Sequence, residues 1–163
     1  MRTHPNGGGV IEDSANVDPS AFVGPDCRVS GSAHVGAGCA VRNGSHVYGN
    51  AIVVNNSVVK DGARVGGSAF LSATTIHGDV TLEKPPIVIQ GFEQEIVISD
   101  SFIIVGCQTI SIEDWEDRSL ALFRANGIPK KSAERLRDSI NTVRECYKSK
   151  YHEDDLKAAF KVG

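Results

Sequence analysis

The chain has 163 residues and a formal charge of -3, with 17 basic and 20 acidic side chains. This length supports one core and a small appended element rather than two full domains. The mildly acidic balance argues against a nucleic-acid partner, which usually needs a broad basic excess. No apolar run approaches the ~20 residues of a membrane span, and the first residues lack the apolar core of a signal peptide. A cytoplasmic protein without membrane contact is expected. Cys27, Cys39, Cys107 and Cys146 form no C-x-x-C pair and have no histidine at ligand spacing, so free thiols and no metal site are expected.

Residues 1–13 read as an N-terminal arm. From 14 to 83 the chain repeats in sixes: Val17, Val23, Val29, Val35, Val41, Val47, Val53, Val59, Val65 and Leu71 follow one another without a miss. Two places before each stands a small residue, from Ala15 through Cys27, Cys39 and Ser45 to Ala69. Small-x-Val has the period of a strand, so both side chains point to one face, and the residues that follow are turn formers such as "GPD", "SGS" and "NGS". A strand and corner this short cannot bury its own face. Three such units per 18-residue coil, with coils stacked about 4.8 Å apart, would fill the interior with ladders of like residues.

The same register sorts the outward side chains into three columns: Asn16, His34, Ile52 and Phe70; Phe22, Ala40 and Val58; and Arg28, His46 and Arg64. At position 77 the valine slot holds His77, and the pattern slips by one residue to Ile76 and Leu82 before "EKPP" ends it. Residues 84–110, with apolar β-branched runs in "PIVIQGF" and "QEIVISDSFIIVGCQTISI", are expected to form antiparallel strands that cap the open end.

Residues 111–163 read as a helical extension. "SIEDWEDRSLALFRANG" has a Ser111 cap, acids in its first turn and a closing "NG". A second helix is expected at about 130–151, with Ala133, Leu136, Ile140, Val143, Tyr147 and Tyr151 on one face, and a last short helical piece at "EDDLKAAFK". Residues 1–110 carry 6 basic and 10 acidic groups and residues 111–163 carry 11 and 10, so neither part is a polyelectrolyte.

The sixfold pattern resembles the hexapeptide-repeat proteins. That resemblance implies a left-handed parallel β-helix, mainly β, with a short β cap and C-terminal α-helices, assembled as a homotrimer. The handedness comes from the resemblance alone, because ordinary crossovers are right-handed. The segment "GCQTISIEDW", with Gly106, Cys107 and Trp115, is similar to the region after the repeats in small bacteriophage and prophage proteins of this kind. Fold does not fix function here, since the family includes acyltransferases, sugar nucleotidyltransferases, carbonic anhydrases and non-catalytic members.

For an acetyl-coenzyme-A-dependent acyltransferase, the resemblance implies a histidine base in the groove between subunits, and His34, His46 and His77 are the candidates. Residues 14–75 lack the loop insertion that builds an acceptor pocket in many such enzymes. A carbonic anhydrase would need three converging histidines on zinc, which the register does not supply. The 13 residues ahead of the repeat leave no room for a nucleotidyltransferase domain.

The basic column Arg28, His46 and Arg64, flanked by Ser30 and Tyr48 and with Arg42 and Lys60 on the next face, points instead to binding. Like charges about 5 Å apart call for an anion, an acid or solvent between them. The sequence thus supports a non-catalytic homotrimer, without cofactor, that captures an anionic small molecule such as a nucleotide-like signal, for counter-defence sequestration, or a host protein. An acyltransferase and a structural virion component stay open beside it.

Overall fold

The computed structural model describes residues 1–90 and 94–160, with side chains through residue 150. Two compact units divide the chain: residues 1–97 with 104–109, and residues 98–103 with 110–163.

The first unit is a β-solenoid of about four turns, built from strands of two or three residues. In chain order they are β1 (Arg2–Thr3), β2 (Val10–Ile11), β3 (Asn16–Val17), β4 (Phe22–Val23), β5 (Arg28–Val29), β6 (His34–Val35) and β7 (Ala40–Val41), then β8 (His46–Val47), β9 (Ile52–Val54), β10 (Val58–Lys60), β11 (Arg64–Val65), β12 (Phe70–Ser72), β13 (Thr75–His77) and β14 (Thr81–Leu82). Three parallel sheets form the walls: β3-β6-β9-β12, β4-β7-β10-β13, and β2-β5-β8-β11-β14, the last with β1 added antiparallel at its edge. Register follows the 18-residue period: Asn16 stands over His34, Phe22 over Ala40, and Arg28 over His46.

Inside, the stacked valines fill the prism. Val29, Val47 and Val65 are fully buried, as are the alanines and cysteines of the small slot, and a buried aliphatic of this size contributes roughly 1.5–3 kcal/mol. Small residues fit that slot because the triangular bore has no room for two large side chains per strand. At the corners, coils approach so closely that Gly49, with φ 64°, would bring a Cβ within 2.9 Å of the Gly67 nitrogen.

The expected one-residue slip is present. Val59 pairs with Ile76 and Val65 with Leu82, so the fourth coil is one residue short. The omission falls at the corner where Ala73 turns with φ 53°.

The segment read as an arm does more than lead in. Ile11 occupies the core slot six residues before Val17 and pairs with Val29, so the solenoid begins inside residues 1–13. Each coil donates its N–H groups to carbonyls of the next coil, as Asn16 N does to Ala33 O at 2.9 Å. The first coil's own carbonyls therefore need donors from elsewhere, and the arm supplies them. Arg2 Nη2 donates to Ala15 O (3.2 Å), His4 Nε2 to Asp18 O (3.1 Å), Asn6 Nδ2 to Ser20 O (3.3 Å) and Gly9 N to Val23 O (2.9 Å).

After the last coil come β15 (Ile87–Ile89), β16 (Ile96–Ile98), β17 (Phe102–Val105) and β18 (Gln108–Ser111), ordered in one sheet as numbered. Gly106 N donates to Glu95 O and Ser99 N to Phe102 O, both at 3.0 Å, which is hairpin pairing as expected. Gly91 and Phe92 of the "PIVIQGF" run lie outside the described residues. The fourth coil is tied to this sheet by Glu95, which accepts from the Thr74 hydroxyl, and by Gln90 Nε2, which donates to Ala73 O at 3.2 Å.

In the second unit, α1 (Ile112–Ala125) starts at Ser111, whose Oγ accepts from Asp114 N at 3.3 Å, with Glu113 and Asp114 in the first turn. It ends at Asn126 and Gly127. Its buried face carries Trp115 and Phe123, packed edge to face with ring centroids 5.8 Å apart. The helix α2 (Lys130–Phe160) is continuous, where a break before "EDDLKAAFK" was expected. No Gly or Pro stands between 129 and 163 except the last residue, so nothing interrupts the backbone ladder. Ala133, Ile140 and Tyr147 line its buried face as expected, together with Arg144; the Tyr151 side chain lies outside the described residues. Trp115 Nε1 donates to Asn141 Oδ1 of α2 at 2.7 Å.

Candidate functional site

The outer surface of the β2-β5-β8-β11-β14 wall carries two adjacent columns. The first runs Val10, Arg28, His46, Arg64, Thr81, one residue per strand. The second stands two residues further along each coil and runs Glu12, Ser30, Tyr48, Gly66, Glu83. Period-two alternation brings the columns onto one face.

Acids close both ends. Glu12 makes an ion pair with Arg28 and accepts from Gly31 N at 2.9 Å. The Gly31 amide first, and then Arg28, hold the Glu12 carboxyl below its ordinary range. At the other end Glu83 accepts a 2.9 Å hydrogen bond from the Tyr48 hydroxyl. Burial, and then that bond, push the Tyr48 phenol up, so it remains a donor at neutral pH.

Between these acids lies an open cavity of about 280 Å³ lined by His46, Tyr48 and Arg64. The Ser30 hydroxyl lies 2.7 Å from His46 Nε2 and holds the ring. Burial first, then the charges of Arg28 and Arg64, push the His46 pKa below its ordinary value, with Glu12 opposing. The imidazole is therefore neutral at physiological pH. The Tyr48 ring packs beside it, centroids 5.0 Å apart and planes tilted by 39°. That ring lies over Gly66, where a Cβ would stand 2.1 Å from Tyr48 Cε2. Among the described residues no carboxylate is within ion-pair distance of Arg64, and it is exposed.

The structure thus gathers His46, Tyr48 and Arg64, keeps Arg28 in the column but neutralised, and leaves the other candidates apart. Arg42 stacks over the Phe22 ring at 5.0 Å on a different wall, and Lys60 lies 4.0 Å from Asp61. His34 is half-buried on the β3-β6-β9-β12 wall between Asn16 and Ile52. His77 is buried, its Nε2 donating to Gly106 O at 3.1 Å and its Nδ1 3.2 Å from Thr109 Oγ1. The Thr109 hydroxyl also donates to His77 O at 3.0 Å, so His77 joins the last coil to β18.

Among the described residues, no three His, Cys, Asp or Glu side chains converge as metal ligands, and no helix is long and apolar enough to cross a membrane. Comparison with family models, curated proteins and solved structures gives no match to this chain.

The residues that sequence reasoning missed are Glu12, Gly66 and Glu83. A signal for Glu12 exists: Ile11 stands six before Val17, which extends the register upstream and sets Glu12 one coil from Ser30. Glu83 is found in the same way once the slip is counted, one place after Leu82.

Proposed function

We propose that the protein is a non-catalytic homotrimer that captures a small anionic molecule in the His46–Tyr48–Arg64 cavity. The observation that carries this reading is Arg64: an exposed guanidinium with no carboxylate within ion-pair distance among the described residues, lining a cavity with a neutral imidazole and a fixed aromatic ring. An arginine unpaired among the described residues, one strand from His46, is a position that an anion stabilises and that an apolar ligand does not. The exposed apolar pair Ile52 and Phe70, adjacent in register on another wall, supports self-association through that wall.

Of the histidines, His77 is buried with its Nε2 donating to Gly106 O, which supports a structural role for it. A phage-type role in sequestering a nucleotide-like signal follows as the biological form of this proposal. Native mass spectrometry and thermal shift of the purified protein against adenine nucleotides, cyclic dinucleotides and acetyl coenzyme A test it. Stabilisation by a nucleotide that disappears in Arg64→Gln is the expected result. Thiol release from acetyl coenzyme A on an amine acceptor would overturn the non-catalytic reading.

A further inference from the structure

We infer that the ligand presents this cavity with a single phosphate-sized anion beside a flat ring, and that polyphosphates are disfavoured. The inference rests on the anion-capture reading above. Three consecutive strands offer Arg28, His46 and Arg64, a column that would suit an extended chain of phosphates. Carboxylates close it at both ends. Glu12 takes up Arg28 and the Gly31 N–H, and Glu83 reaches to the Tyr48 hydroxyl.

The stretch left without a carboxylate covers the strands of His46 and Arg64, one strand spacing of about 4.8 Å. That is room for one tetrahedral anion. A second phosphate along the column would meet Glu12 or Glu83, and like charges at such range repel. Arg64, with a planar fork suited to two phosphate oxygens, is the one permanent cation lining the cavity among the described residues. Tyr48, laid over Gly66 and fastened by its hydroxyl, is a rigid flat surface next to it. Phosphate monoesters and diesters share this chemistry.

The test is a set of titrations in metal-free buffer, followed by the ring signals of His46 and Tyr48. The probes are inorganic phosphate, pyrophosphate and tripolyphosphate, then phenyl phosphate as a monoester and diphenyl phosphate as a diester. The three inorganic anions should differ by no more than about threefold in affinity, because added charge meets the terminal carboxylates. Phenyl phosphate should bind at least about tenfold more tightly than phosphate, a gain lost in Tyr48→Leu. Retention of that gain by diphenyl phosphate assigns a diester, and its loss assigns a monoester.

Glu12→Gln releases Arg28 and should raise pyrophosphate affinity about fivefold with little change for phosphate; if that variant does not fold, Glu83→Gln reads the other end. Affinity that climbs about tenfold with each added phosphate overturns the inference and leaves anion capture standing. No shift with any probe overturns both.

Discussion

The hydroxyl of Ser30 lies 2.7 Å from Nε2 of His46, one coil away on the same wall. This contact holds an imidazole that stands between two arginines in the column, and its surroundings decide how the site responds to protons. With its pKa held below the ordinary 6.5 by burial and by Arg28 and Arg64, His46 binds fewer protons folded than unfolded as pH falls through that ordinary value. Stability contributed by neutral His46 is therefore fully present above 6.5 and declines on acidification through it. The fall in Tm between neutral and mildly acidic pH should be smaller in His46→Gln than in the native protein. Sulfate, whose charge is constant over this range, should bind more tightly as pH falls, and that dependence should vanish in the same variant.

Gly66→Ala tests the floor of the cavity. The new Cβ would stand 2.1 Å from Tyr48 Cε2 and 2.2 Å from Cζ, so the ring must leave and its bond to Glu83 must break. Because the clash is with a side chain rather than backbone, the solenoid should keep its fold while phenyl phosphate affinity drops about tenfold, of the order of one aromatic contact. Ring-signal titration and a parallel thermal melt separate the two effects.

Two serines in the small slot should respond in opposite ways to alanine. Ser45 Oγ is buried with no partner among the described residues, whereas Ser57 Oγ donates to Val54 O at 2.7 Å and accepts from Thr74 N at 3.2 Å. Ser45→Ala should be neutral or stabilising by about 1 kcal/mol, and Ser57→Ala destabilising by about 1–2 kcal/mol, as satisfied and unsatisfied buried hydroxyls differ. Denaturant melts of the two variants check this.

Within the helical unit, the bond from Trp115 Nε1 to Asn141 Oδ1 leaves a buried donor if its acceptor is removed. Asn141→Leu should cost about 1–3 kcal/mol and Trp115→Phe a comparable amount, while the double variant should cost less than their sum. Circular dichroism at the helical band, followed against urea, measures the cycle.

The walls and the basic column were legible in the sequence because an 18-residue period determines both which residues stack and which face outward; Arg28, His46 and Arg64 fall in line from counting alone. The slip at His77 was legible too, since Ile76 and Leu82 continue the core. What counting could not supply is the reach of side chains across rows. Glu12 neutralises Arg28 and Glu83 holds Tyr48 through flexible carboxylates, and neither acid belongs to a motif. The surroundings of His77 were hidden for the same reason: its Nε2 meets Gly106 O and its carbonyl meets the Thr109 hydroxyl, at separations of 29 and 32 residues. The long α2 shows a different limit. The apolar spacing that marks this helix ends at Tyr151, yet helix propensity without a breaker carries the backbone on to Phe160.

The donors that Arg2, His4, Asn6 and Gly9 extend to the first coil also bear on end-to-end stacking. A bare solenoid end is a template on which another solenoid can stack by the same ladder that joins one coil to the next, and repetition of that event yields a fibre. Here a side chain or a folded-back hairpin occupies those carbonyls on each of the walls in turn. Residues 1–9 of the arm thus occupy the acceptors on which another solenoid would have to stack at this end.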